Sequence, residues 1–333
     1  MKKILACLLI LALGLGLLAG CGSGAKPAAD KDKTYLLKIG MVVTEQDPMY
    51  LGAMELKKNV EARTKGKLKI QVFPSSQLGT TDDLEEQAKV GANVAVITDP
   101  ARLARAVPEI GILGAPYITD NYDESRKLAT SKLFQGWADK LQSHGFHVLS
   151  FNWYQGDRHF LTNVPVKEPA DLKGLRIRTP GSPIWQGTIS AMGATPTALS
   201  WSEVYPGLQQ KVIDGAEAQH PAVFGAHLHE VIKYITKTGH FQLMTGLVCG
   251  EKWFSTLPKE YQAILLEEAV KAGDFASKKT LDGLKDYEAK MKAAGVTINQ
   301  VDIAPFKKAT EVVYEKNKLV DLRKQVNEVL GKK

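Results

Sequence analysis

The sequence predicts an α/β protein with two lobes and a long C-terminal helix that spans both. Three observations support this fold class. Strand-like and helix-like segments alternate along most of the chain, a pattern typical of mostly parallel sheets covered by helices. The length of 333 residues favours two domains over one. Near the C terminus, residues 258–293 form one long helical pattern, which Gly273 or Gly283 could interrupt.

Local patterns define the elements of the N-terminal half. An apolar run at residues 36–42 predicts a buried strand. Asp47-Pro48 then predicts a helix start, because proline suits the first helical turn. Apolar residues recur at helical spacing up to Gly66, where this helix ends. Alternating apolar and polar residues at 68–72 predict the second strand. By the same criteria we predict further strands at 94–97 and 146–153, and helices at 81–89, 101–106 and 121–144.

The C-terminal half continues the alternation. We predict strands at residues 175–178, 196–199 and 212–218, and helices at 182–192, 201–211 and 307–330. The pattern changes near Tyr154-Gln155-Gly156, which we predict to be a hinge. Lobe I then comprises residues 35–155 plus about 244–283, and lobe II comprises 156–243 plus about 284–333. The cleft between the lobes is the expected ligand site, because lobe interfaces favour pockets.

Composition excludes several classes of protein. With 44% hydrophobic and 24% charged residues, the chain is neither intrinsically disordered, fibrous nor a polytopic membrane protein. The net charge of +7 is mild, and the basic residues are interspersed with acidic ones. This mixture is typical of a solvated surface, so we predict no nucleic-acid partner.

The first 20 residues predict a signal peptide. Lys2 and Lys3 precede a short apolar run, which ends in Leu18-Ala19-Gly20 before Cys21. This arrangement resembles a bacterial lipoprotein signal. It implies a lipid on Cys21 and anchoring to the membrane outside the cytoplasm, in the periplasm or at the cell surface. A plain signal peptide or a membrane helix is the alternative, but the run is short for a spanning helix. Residues 21–34 are polar and predict a flexible tether.

Cysteine usage predicts a single thiol in the mature protein. Cys7 lies in the signal peptide and Cys21 carries the lipid, so Cys249 remains and cannot form an intramolecular disulfide. Its apolar neighbourhood predicts a buried, unreactive thiol.

Motifs for catalysis or cofactor binding are missing. The chain has no glycine-rich nucleotide loop, and His229-Glu230 lacks the second histidine of a zinc protease. His220, His227 and His229 are close in sequence, but residues two apart do not share a helix face. We therefore expect solvent-facing histidines, no metal site and no cofactor.

Residues 156–180 resemble the central signature of the solute receptors of TRAP transporters, in the dicarboxylate-receptor (DctP) family. Segments 66–79, 107–117, 203–217 and 253–258 also resemble this family in the same order, so the likeness covers nearly the whole mature chain. It implies a periplasmic-binding-protein-like fold whose lobes close on a small organic acid. It also implies that the protein is no enzyme and delivers this ligand to the permease subunits of a TRAP transporter.

The resemblance implies that Arg178 holds the ligand carboxylate. Strand geometry agrees, because Leu175 and Ile177 share one face while Arg176 and Arg178 share the other. Arg178 lies at the carboxyl end of the strand, and its planar guanidinium matches a carboxylate. Arg158 corresponds to a second family arginine, for which ligand contact and support of Arg178 are equally open. We expect Arg176 to be exposed.

Other candidates for ligand contact surround this arginine. The family often has an asparagine where this chain has Ala218, so Gln219 or His220 would have to replace it. Glu45 and Thr98 follow strands of lobe I, whereas Asp47 is expected to cap a helix. Aromatic residues near the cleft could stack on the ligand; we single out Trp153 and Trp201, the latter hinting at a flat or apolar ligand body.

Two other functions compete with this interpretation. One is an extracytoplasmic enzyme on the same scaffold, with Glu45, His220 or Asp214 as acid–base groups. The other is the receptor of an ATP-driven importer, which predicts the same fold and cleft. Aliphatic, aromatic and sugar-derived acids are all compatible with the candidate residues.

Overall fold

The structure, a computed structural model, describes residues 33–332. The predicted signal peptide, the predicted lipidation site Cys21 and most of the predicted tether lie outside this range. Within it, no helix combines the length and the apolar character that crossing a membrane requires.

A mixed sheet organises the described residues. Its strands are β1 (Tyr35–Gly40), β2 (Leu68–Phe73), β3 (Val94–Thr98), β4 (Phe146–Thr162), β5 (Arg176–Thr179), β6 (Thr195–Ala198), β7 (Gly215–Ala218), β8 (Tyr234–Gly250) and β9 (Thr297–Gln300). They are ordered β2-β1-β3-β8-β4-β7-β5-β6, and β9 also pairs with β8. Parallel pairs, β1 with β2 and β3, and β5 with β6 and β7, extend the sheet on the two sides of β4 and β8.

Two long antiparallel strands, β4 and β8, connect these two sides. Each has 17 residues, far more than the usual five or six. β3 pairs with the end of β8 at Gly246–Cys249, and β7 pairs with the end of β4 at His159–Thr162. The β4–β8 register shifts between Tyr154 and Asp157, and Gly156 between them has a φ of 111°. Such an irregularity bends a strand locally.

Helices cover both sides of the sheet. They are α1 (Pro48–Arg63), α2 (Thr81–Lys89), α3 (Pro100–Leu103), α4 (Tyr122–Ala129), α5 (Lys132–Lys140), α6 (Pro183–Ala191), α7 (Val204–Gln209), α8 (His220–Gly225), α9 (Glu251–Phe254), α10 (Lys259–Ala293), α11 (Ala304–Lys316) and α12 (Val320–Leu330). Asp47 caps α1 by accepting a hydrogen bond from the backbone N–H of Met49 at 2.9 Å, which confirms its predicted role.

Two predicted helices are each divided in the structure. Residues 121–144 form α4 and α5, because the Ser131 side chain accepts from the N–H of Phe134 and starts a new helix. Residues 307–330 contain α11 and α12, which Lys318 separates with a φ of 57°. The prediction of continuous helices was wrong at both places, because the cap at Ser131 and the left-handed backbone at Lys318 each interrupt a helix within a continuous apolar pattern.

The long helix α10 has 35 residues and continues through Gly273 and Gly283. Glycine at position 273 permits close approach to β4: a Cβ there would lie 2.4 Å from Oδ1 of Asn152. Further contacts run along the helix, since Asn152 Nδ2 donates to Asp274 at 2.9 Å and Lys237 Nζ donates to Glu288 at 2.7 Å. The helix thus packs against both crossing strands.

Cys249 lies in β8 and is fully buried, as predicted. Burial raises the pKa of its thiol well above the usual value, so the thiol stays protonated.

Candidate ligand-binding site

A cavity of about 270 Å³ lies at the carboxyl ends of β1, β3, β5 and β7. One wall is formed by residues after β1, the start of α2 and the β3–α3 connection. The opposite wall is formed by the end of β5, by α6 and by residues 198–203, and β4 and β8 contribute further side chains. The carboxyl ends of parallel strands are where α/β sheets bind ligands.

Arg178 lies in this cavity as a buried cation. Its side chain is 2% exposed, and its Nε and Nη2 donate to the backbone oxygen of Leu199 at 3.0 and 2.8 Å. Its guanidinium lies 5.4 Å from the ring centroid of Trp201. Among residues 33–332, no carboxylate forms an ion pair with it. Burial, and secondarily the charge of Arg158, lower the pKa of Arg178 to about 9.

Arg158 lines the same cavity but is paired. Its Nε and Nη2 donate to the carboxylate of Glu217, the latter at 2.8 Å, and Nη1 donates to Oε1 of Gln219 at 3.0 Å. Glu217 is fully buried. Burial acts to raise the pKa of Glu217, but the charge of Arg158 and its hydrogen bonds to this carboxylate outweigh it and lower this pKa to about 2. The protein therefore neutralises Arg158 internally.

Gln219 and His220, the two candidates to replace the asparagine missing at Ala218, occupy different places. Gln219 lines the cavity, and its Nε2 donates to Oε1 of Gln155 at 2.8 Å. His220 does not line the cavity and is 4% exposed. The expectation of a solvent-facing His220 was wrong, because α8 packs against α10 and the ring of His159 in β4 lies 4.9 Å from the His220 ring. Its Nε2 is 3.7 Å from Oε1 of Glu288, too far for a hydrogen bond.

The burial of His220 predicts acid sensitivity. Burial, partly offset by Glu288, lowers the pKa of His220 to about 4, whereas an unfolded histidine titrates near about 6.5. The unfolded chain therefore binds this proton first, and the contribution of neutral His220 to stability is lost as the pH falls from about 6.5 towards 4. Between pH 7 and pH 5, the free energy of unfolding should therefore fall further in the wild type than in His220→Gln. We expect the difference to be on the order of 1–2 kcal/mol.

Urea unfolding at these two pH values measures this difference. His144→Gln, at an exposed position, is the matched control and should behave like the wild type. Equal pH dependence in all three proteins would contradict the assignment to His220.

Of four other residues that were predicted to contact the ligand, two line the cavity and two do not. Thr98 and Trp201 line the cavity. Glu45 and Trp153 lie outside it. Glu45 is exposed in the turn after β1, two residues before the α1 cap Asp47. Trp153 is fully buried in the core, where Gly52 of α1 leaves room for its ring. Arg176 is exposed, as expected, and forms an ion pair with Asp214 at 2.9 Å.

An acidic network around Arg102 was missed by the sequence analysis. Arg102 lines the cavity, and its Nη1 donates to Asp99 while its Nε approaches Asp82 at 3.5 Å. Thr98 donates to the buried carboxyl of Glu85. Burial acts to lower the pKa of Arg102, but the neighbouring negative charges outweigh burial and raise this pKa above its usual value. The spacing of Asp99 and Arg102, three residues apart at a helix start, was the available signal.

His227, His229 and Glu230 lie together outside the cavity lining. Their potential ligand atoms are within 4.8 Å of one another. The prediction that His227 and His229 diverge on a helix was wrong. His227 has a left-handed φ of 57° before a 3-10 turn, which places the rings 5.8 Å apart.

The model of the bacterial extracellular solute-binding proteins, family 7 (DctP), matches residues 39–319. The chain belongs to this family. The resemblance found in the sequence is thereby confirmed, and with it the two-lobed α/β fold. The protein is an extracytoplasmic solute-binding receptor of the TRAP type and not an enzyme.

Three solved TRAP solute-binding proteins are similar to this DctP-family receptor. An apo, open structure from Escherichia fergusonii is 43% identical, with a TM-score of 0.78, covering 89% of this chain and 100% of that one. A protein from Actinobacillus succinogenes with bound L-galactonate is 32% identical, with a TM-score of 0.87 and coverages of 89% and 99%. One from Ochrobacterium anthropi with bound L-fuconate is 33% identical, with a TM-score of 0.86 and the same coverages. The backbone therefore superposes better on these two ligand-bound relatives than on the open one, despite lower sequence identity.

Proposed function

We propose that this receptor captures a small organic acid in the cavity, with Arg178 binding its carboxylate, and delivers it to the permease of a TRAP transporter. The observation that supports this most strongly is the buried guanidinium of Arg178, which forms no ion pair with a carboxylate among the described residues. An isolated buried charge is costly, so an anionic ligand would gain a strong, desolvated interaction there. Bound L-galactonate and L-fuconate in the relatives support an acid as the ligand class.

The hydrogen bonds of Arg178 leave N–H donors available for a ligand carboxylate. Nε and Nη2 donate to Leu199, and Nη1 makes no hydrogen bond to the described residues. A guanidinium has five N–H donors in one plane, so its outer edge can donate two parallel bonds to a carboxylate. Gln155 and Gln219, which share a hydrogen bond at 2.8 Å, are amides that suit the polar remainder of the ligand.

The proposed capture includes closure of the two lobes about the crossing strands. We place the hinge at the register shift of β4 and β8 near Gly156, between the predicted lobes of residues 35–155 and 156–243. Two contacts cross the cleft between these predicted lobes and would have to break for it to open. Trp185 Nε1 donates to the backbone oxygen of Gly114 at 2.9 Å, and Arg105 approaches that of Gly181 at 3.5 Å. A ligand that touches both walls favours the closed state.

We also propose that the receptor is a lipoprotein, attached through Cys21 after cleavage of residues 1–20. A tethered receptor stays close to its permease, which raises its effective concentration there. Detergent-phase partitioning of cells expressing the full chain tests this. The wild type should enter the detergent phase, whereas Cys21→Ala should not be lipidated. Partitioning of both proteins into the aqueous phase would contradict the anchor.

A thermal-shift screen of carboxylates tests the proposed function. At a concentration 100 times the dissociation constant, a bound acid should stabilise the receptor by about 2.7 kcal/mol. The matching neutral polyols should have no effect, because they lack the group that pairs with Arg178. Stabilisation by polyols and acids alike would contradict a carboxylate-binding receptor.

A further inference from the structure

The three arginines that line the cavity differ in their ion pairs. Arg158 is paired with Glu217, and Arg102 contacts both Asp99 and Asp82. Arg178 alone forms no direct ion pair among residues 33–332, and Glu217 and Asp99 act on its charge only from beyond ion-pair distance. No lysine lines the cavity in this range. The cavity therefore offers one cation whose charge is free for a ligand.

The wall opposite Arg178 contains Arg102, and the acidic side chains on this wall outnumber the basic ones. Asp82 and Asp99 line the cavity, and Glu85 lies directly behind Thr98. Burial raises the pKa of Glu85 to about 7, so this carboxyl is partly protonated at neutral pH. Arg105 pairs with Asp82 from the exposed side at 2.7 Å. A second ligand carboxylate would face Asp99 and Asp82 and would compete with them for Arg102.

The same wall suits neutral hydroxyl groups. Asp99 and Asp82 offer carboxylate oxygens, which form strong hydrogen bonds with hydroxyl donors but repel an anion. The hydroxyl of Thr98 donates to Glu85, so its oxygen remains available as an acceptor. Ser200 on the other wall adds a further polar side chain.

We propose that this receptor selects monocarboxylates with a hydroxylated body and rejects dicarboxylates of the same length, because the cavity holds one unpaired guanidinium facing an acidic wall. The inference rests on the proposed function, since it takes Arg178 as the carboxylate site. The likeness to dicarboxylate receptors alone would favour dicarboxylate ligands, and this inference excludes them.

Calorimetric titration with matched acids tests the selection. The pairs are threonate with tartrate, gluconate with glucarate, and L-galactonate with galactarate. Within each pair a terminal CH₂OH is replaced by a carboxylate. In every pair that binds, the monocarboxylate should bind at least about tenfold more tightly, because the second charge meets Asp99 and Asp82. Equal or tighter binding of the dicarboxylate would overturn the inference.

A charge-removing variant links the selection to the wall. Asp99→Asn keeps a helix-capping side chain but removes one charge beside Arg102, so the preference should shrink several-fold. Glu86→Gln, which removes an exposed charge on α2 outside the cavity, is the control and should keep the full preference. An unchanged preference in Asp99→Asn would contradict the role of this wall.

Arg178→Ala separates this inference from the proposed function. Dicarboxylate binding that is at least as tight as that of the matched monocarboxylate, and that disappears in Arg178→Ala, would overturn the selectivity while supporting Arg178 as the carboxylate site. Failure of all six acids to bind the folded receptor, or binding that is insensitive to Arg178, would overturn the proposed function and this inference with it.

Discussion

Replacing Arg178 with alanine is expected to weaken binding of the cognate acid by at least about 100-fold. Each charge-assisted hydrogen bond contributes about 1.5–3 kcal/mol, and the guanidinium can donate two of them to one carboxylate. Arg178→Lys keeps the charge but loses the planar pair of donors, so its affinity should lie between those of the wild type and the alanine variant. Calorimetric titration with an acid found in the screen measures both changes.

Arg176→Ala is the matched control for this prediction. Arg176 lies two residues away on the same strand, but it is exposed and paired with Asp214. Its loss should leave the dissociation constant within about twofold, because a screened surface pair contributes little. Cooperative thermal unfolding of each variant verifies that it is folded. Equal weakening by both substitutions would indicate a general electrostatic effect instead of a specific contact.

Replacing Glu217 with glutamine is expected to lower the free energy of unfolding by about 3–5 kcal/mol at neutral pH. The substitution leaves Arg158 buried without its counter-ion, and an unpaired buried charge is strongly destabilising. Urea unfolding measures the loss. Glu267→Gln, which removes an acid from an exposed pair with Arg63, is the control and should leave the free energy of unfolding almost unchanged.

The difference in unfolding free energy between the wild type and Glu217→Gln should depend on pH in a defined direction. The pKa of Glu217 is about 2 in the folded protein and near about 4.3 in an unfolded chain. Since the folded value is lower, ionised Glu217 stabilises the protein above about pH 4.3, and this contribution is lost as the pH falls towards 2. The gap between wild type and Glu217→Gln should therefore narrow in that range. A gap that stays constant down to pH 2 would contradict the buried ion pair.

Local signals were sufficient for much of the fold. Asp47-Pro48 marks the start of α1 because a cap and a first-turn proline act within four residues. The strand pattern at residues 94–97 matches β3 for the same reason. The crossing strands were harder. The pattern at residues 146–153 ends where β4 continues to Thr162, and no strand was predicted at Tyr234–Gly250. Polar residues such as Lys237 and Gln242 interrupt the apolar pattern of β8, whose burial depends on distant partners.

The site was predictable to a different extent on its two walls. Arg178 was found because strand polarity and the family likeness indicated the same residue. The acidic network around Arg102 was not found, because Asp82 and Asp99 belong to different elements that only the tertiary fold brings together. The internal neutralisation of Arg158 by Glu217 has the same origin, since 59 residues separate the partners.

A crystal structure of the receptor with an acid from the screen tests the central proposal most directly. The decisive quantity is the distance between the ligand's carboxylate oxygens and the guanidinium nitrogens of Arg178. We predict two contacts of about 2.7–2.9 Å, with Arg158 still paired with Glu217. A carboxylate bound elsewhere in the cavity, with Arg178 donating only to Leu199, would contradict the proposal.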